Sequence, residues 1–203
     1  MPDINKICEK AGIVLDYLFE NFEEDGKVDN LFMLAFASGL AGVSCYEAAK
    51  SEGSEMNVVE TGIGEKFYFS EKANQYLFQN EYSIKSCILG FCANVSPDKP
   101  LPSIDSAMMK IATAVGNPNY LICDMVEPKP LYENVKRAWD DFYTNLLKDE
   151  ISSEDWPLLF GVVVQNVLSN ALSEMPLDQL SQFAFECSCY LSKIGPDTYT
   201  TNI

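Results

Sequence analysis

Histidine is missing from this chain altogether. That removes the side chain that titrates nearest neutral pH, the usual general base and a frequent zinc ligand, and with it every Ser-His-Asp or HExxH arrangement. Basic side chains are scarce as well, since 14 Lys and Arg stand against 30 Asp and Glu for a formal net charge of −16. A nucleic-acid backbone or an anionic membrane finds little to hold on so acidic a chain. Membrane-length apolar runs are lacking too: Leu31 to Tyr46 carries no charge, but glycines interrupt it and it falls short of the roughly eighteen apolar residues a span requires. The opening MPDINKICEK has neither the basic cluster nor the apolar core of a signal peptide. A cytoplasmic location is therefore expected. The seven cysteines agree, because an odd number placed mainly on apolar helix faces fits reduced thiols better than a disulfide framework.

What the chain does have is one segment around which the rest can be organised, DNLFMLAFASGLAGVSCYEAAK at Asp29 to Lys50. At about 100° per residue, Phe32, Phe36, Leu40 and Val43 form a bulky arc, and Ala35, Ser38, Gly39 and Gly42 form a smooth strip beside it. A helix apolar on every side belongs in the interior. Glycine costs about 1 kcal/mol against alanine inside a helix, so Ala35, Gly39 and Gly42 are read as a close-packing strip that lets another backbone approach.

Amphipathic helices account for most of the remainder. Residues 3–22 place Ile4, Ile7, Cys8, Ala11, Val14, Leu15, Leu18 and Phe22 on one face with Asp3 as N-cap, and Gly26 supplies a left-handed stop. Asn57 to Thr61 and Lys66 to Phe69 can pair as short strands about Gly62-Ile63-Gly64. That GxG with Lys66 can also be read as a phosphate cradle, but no buried strand precedes it, and a turn is the simpler account. Short helices follow Ser70 and Ser83, and prolines at 97, 100 and 102 enforce a connection before a helix capped by Ser103. Asn117 to Pro130 is expected to be extended or looped, with Tyr120 to Cys123 strand-like. Helices at 131–147, 154–173 and 177–194 complete the chain, the second packed on the central rod, and the tail DTYTTNI is expected to fray.

No constellation carries recognisable chemistry. Cys187 and Cys189 are two apart, so a helix sends them about 200° from each other, with Cys187 facing in and Cys189 out. Phe185 lies near Cys189 on the same outward arc, and an aromatic ring placed in water invites a partner. Phe185 and Cys189 are accordingly the candidate interface. Trp139-Asp140-Asp141 could form a cup for a cation, but helical spacing sends the indole to the core. No metal site is assigned, no cofactor is implied, and the catalytic and cofactor-binding residues stay unknown.

The expected architecture is all-α: one helical domain over residues 1–203, a bundle of seven or eight helices around a buried central helix at about 30–50, with a small β-ribbon near 57–69. The expected function is that of a non-enzymatic cytosolic interaction or regulatory protein acting through helical surfaces. Its partner would be another protein or a second copy of itself in a homodimer, and neither nucleic acid nor membrane. The alternative is a small-ligand pocket between helices, or a cofactor-dependent enzyme, built between the rod and helix 154–173.

Overall fold

The computed structural model describes residues 2–24 and 26–199. Helix α1 (Ile4–Phe22) starts where the Asp3 side chain accepts the Lys6 N–H, and buries Ile7, Ala11, Val14 and Leu18. A two-residue hairpin, β1 (Glu23–Glu24) with β2 (Lys27–Val28), turns the chain at Gly26, whose φ is +74°. Asp29 then accepts the Phe32 N–H at 2.9 Å and opens α2 (Asn30–Ser51).

Helix α2 is the hub, with α6, α7 and α8 packed on it. Every residue from Met33 to Tyr46 is buried. By length and composition it could cross a membrane, but 83% of its apolar window is buried inside the protein. The dryness does not reach the first turn: Phe32 is 38% exposed and its ring leans on Phe22 at 5.5 Å. A ring in a helix's first turn has neighbours on one side only.

Strands β3 (Asn57–Glu60) and β4 (Lys66–Phe69) form an antiparallel ribbon in which Asn57 faces Phe69 and Glu60 faces Lys66. An isolated ribbon is marginal; this one is anchored by buried Phe67, which bridges to Ile194. Helix α3 (Glu71–Asn74) is capped by Ser70 and runs on into a wider π-turn, Gln75–Gln79. Then come α4 (Ile84–Val95), α5 (Asp105–Ala114) and α6 (Pro128–Phe142), the last also running into a π-turn at Tyr143–Leu147. Helices α7 (Trp156–Ala171) and α8 (Leu177–Leu191) close the bundle. The fold is an all-α bundle around α2 with a small β-ribbon.

The glycine strip of α2 is occupied from within. A Cβ at Gly42 would collide with the Ser188 carbonyl oxygen of α8 and lie 3.0 Å from the Ser192 nitrogen. At Gly39 it would meet Leu191 Cδ2 at 2.8 Å and Val135 Cγ2 at 2.9 Å, and Ala35 is fully buried. Helix α7 packs on the rod as expected, but α8 is what fills the strip.

That placement corrects the reading of α8. Its residues 183–191 are all buried, Phe185 at 0% and Cys189 at 3% exposure. The Phe185 ring lies against Phe78, with 5.3 Å between ring centres. Neither residue is on a free face, and Cys187 and Cys189 both point into protein. The cause is that α2, α4 and α5 all pack on α8, so its polar arc is covered rather than solvated.

Candidate functional site

Covering a polar arc leaves a charged group inside. Glu186 of α8 is 0% exposed. A buried carboxyl group is tolerated only when its oxygens are satisfied, and here they are. Oε1 accepts the Tyr120 hydroxyl at 2.6 Å and the Cys123 N–H at 2.8 Å, and Oε2 accepts the Cys123 thiol at 3.1 Å. Lys110 Nζ of α5 stands 3.5 Å from Oε2.

The loop held by this carboxyl group is strained. Ile122 and Val126 form an isolated antiparallel bridge, and between them Cys123 and Asp124 have φ of +49° and +61°. Left-handed backbone at non-glycine residues costs on the order of 1–3 kcal/mol each and persists where the surroundings dictate it. The bonds from Cys123 to Glu186 dictate it here. Burial, then the bond to Glu186, pushes the Cys123 thiol and the Tyr120 hydroxyl well above their ordinary ranges.

Fixing Tyr120 builds an aromatic floor. Its ring stacks on Tyr190 of α8 with centres 5.2 Å apart and planes 22° from parallel. Beside this pair opens a cleft of about 540 Å³ whose walls come from four parts of the chain: Glu65 of the ribbon turn, Asn117 to Leu121, Glu127 to Pro130, and Tyr199. The ribbon turn reaches the loop because Gly116, with φ of +78°, lets the Thr61 side chain come within 3.2 Å of where a Cβ would stand. Thr61 Oγ1 also accepts the Glu65 N–H at 3.2 Å.

The cleft is electrostatically mixed. Burial pushes the Glu65 carboxyl up, and the Lys129 charge opposes that. Lys129 Nζ stands 6.0 Å over the Tyr199 ring. The Tyr199 hydroxyl is buried beside that of Tyr190, and burial together with the Tyr190 hydroxyl pushes it well above its ordinary range. On the far side of Cys123 lies a smaller cleft of about 300 Å³, lined by Lys110, Met125, Met175, Gln179, Gln182 and Phe183.

The tail is partly built in. Asp197 accepts from the Tyr68 hydroxyl, and Thr198 Oγ1 accepts the Gly195 N–H at 2.9 Å. The expected fraying therefore does not hold for 197–199, and residues 200–203 lie outside the described residues. Lys66 Nζ sits 3.5 Å from Asp197, which gives that lysine a structural partner beside the Gly62-Ile63-Gly64 turn.

All seven cysteines are free thiols, and among the described residues no group of three or more His, Cys, Asp or Glu converges as a metal would require. The alternative pocket between the rod and α7 finds no room at Gly39, Gly42 or Phe160: α8 and Val135 occupy the glycines, and Phe160 is wedged against Trp139 and Phe142. Lys193, which the pattern of α8 did not single out, is 5% exposed and donates to Asn74 Oδ1 at 2.6 Å. Glu186 had a signal, a lone acid in the apolar run FAFECSCY. Tyr120 and Tyr199 had none, because both lie in irregular segments. No family model matches the chain, and no curated protein or solved structure matches it.

Proposed function

We propose that this chain is a binding protein rather than an enzyme, and that it acts through the tyrosine-floored cleft. One observation carries the reading: a fully buried carboxyl group is used to fix an aromatic platform at the edge of an open, ligand-sized cleft. Recognition sites of this kind combine apolar rings with a few placed polar groups, in volumes of roughly 300–1,000 Å³. The hydroxyl of Tyr190 and the thiol of Cys123 are held in their neutral forms. Burial pushes Tyr190 up to about 12 and raises the Cys123 thiol further, so neither supplies a base or a thiolate near neutrality.

The cleft takes either a small molecule or a side chain protruding from a partner. Self-association through the glycine strip or Phe185 loses its support, because both are occupied internally. A cytoplasmic location stays part of the proposal, supported by seven unpaired thiols. Titration of the ¹⁵N-labelled protein with small aromatic compounds, followed by amide shifts, tests the reading. Shifts confined to Glu65, Tyr120, Lys129, Tyr190 and Tyr199 are expected. Shifts scattered over the surface, or none, would defeat it.

A further inference from the structure

We infer that the cleft recognises an organic ammonium group carried on an apolar or aromatic body. The inference rests on the binding role proposed above and names its ligand class. Tyrosine rings attract cations through their negative faces, and Tyr199 already holds one: the Lys129 ammonium, at 6.0 Å from the ring centre. The charged side chains lining the cleft are Glu65, Glu127 and Lys129, two carboxylates to one ammonium. Glu65 is half-buried and its carboxyl is raised by that burial; a partly dehydrated acid gains most from an incoming cation. A net charge of −16 draws cations toward the whole surface and repels anions.

Lys129 is then a tethered stand-in. It is exposed, on a flexible stem, and a ligand's ammonium displaces it from the ring while the ligand's apolar body lies on the stacked Tyr120 and Tyr190. The same chemistry can come from a free amine or from the lysine of a partner protein. The substitutions that separate this from an anion site have opposite signs. Removing Lys129 helps a cationic ligand and harms an anionic one; neutralising Glu65 does the reverse.

The test uses the full chain and three matched probes, 2-phenylethylammonium, 2-phenylethanol and 3-phenylpropionate, with N-acetyl-lysine methylamide as the protein-derived arm. Amide shifts of the cleft residues give each dissociation constant. The ammonium probe should bind tightest, Glu65→Gln should weaken it about tenfold, roughly one ion-pair's worth, and Lys129→Ala should tighten it severalfold. Glu65 is half-buried and Lys129 exposed, so both variants fold. If lysine methylamide binds comparably, the source is a partner protein; if only the phenyl amine binds, it is a free amine. Equal binding of the three phenyl probes, or tighter binding of the propionate with loss on Lys129→Ala, overturns the ammonium assignment and leaves the binding role standing. No cleft shift with any probe at roughly 10 mM, well above a fragment's usual dissociation constant, overturns both.

Discussion

Gly42 of α2 faces the carbonyl oxygen of Ser188 of α8 at a distance no side chain could enter. The two helices most enclosed in the protein meet there backbone to backbone, and Ser188 is held in place by donating its own hydroxyl to the Ala184 carbonyl at 2.9 Å.

Gly42→Ala should destabilise the fold by about 1–3 kcal/mol in urea denaturation, in spite of the roughly 1 kcal/mol that alanine gains in helix propensity. Gly39→Ala should cost clearly less, because its obstacles are Leu191 and Val135 methyls, which can shift, rather than a backbone carbonyl. Equal costs at the two positions would mean that α8 slides to make room.

Phe185→Ala should cost about 3–5 kcal/mol, the range for deleting a buried phenylalanine ring, since Phe185 is fully enclosed against Phe78. A surface ring would give a change within about 0.5 kcal/mol. Thermal or urea unfolding separates the two.

Alkylation by iodoacetamide at mildly alkaline pH should label exposed Cys8 first. Cys123 should react slowly, because burial and its bond to Glu186 hold the thiol protonated and only the thiolate attacks. Glu186→Gln removes the carboxylate that raises this thiol, so the Cys123 rate should increase, by about tenfold for each pKa unit regained. Glu186→Ala should instead unfold readily, as it strands the Tyr120 hydroxyl and the Cys123 N–H at about 1–3 kcal/mol each. Mass spectrometry of labelled peptides reads the rates.

The protein should unfold cooperatively in alkali. Burial pushes Tyr46 and Tyr190 up to about 12 from an ordinary value of 10.0. In an unfolded chain both ionise near pH 10, while the folded chain keeps them neutral. Their contribution to stability is therefore complete below about pH 10 and is lost as pH rises through about 12. The buried thiols act in the same direction from slightly lower pH, Cys189 being raised to about 11 by its burial. Urea midpoints that stay flat between neutrality and pH 9 and fall steeply above 10 are the expected result; a midpoint that rises there would reverse the sign of the argument.

Local signals made the helices and four of their caps legible, but not the start of α5, where Ile104 rather than Ser103 stands at the cap position. Asp3, Asp29, Ser70 and Ser83 cap their helices as their types imply, and the ribbon pairs about Gly62-Ile63-Gly64. The uncharged run from Leu31 announced a core helix because it offers water no charged face, and only its first turn proves exposed. Spacing failed at α8, where Phe185 and Cys189 occupy an arc that periodicity assigns to solvent. Periodicity ranks the faces of one helix against each other; it carries no information on how many neighbours will cover them.

The amino-acid sequence by itself determined the class of fold, the identity of the central rod and the exclusion of histidine chemistry, since each depends on residue type and on spacing within a few turns. Tertiary structure alone decided that α8 would fill the glycine strip, that Glu186 would be sealed inside, and that Tyr120, Tyr190 and Tyr199 would meet around one cleft. Those residues are far apart along the chain and two of them lie outside helices. Their meeting depends on loop geometry and on the packing of whole helices, which no local pattern encodes.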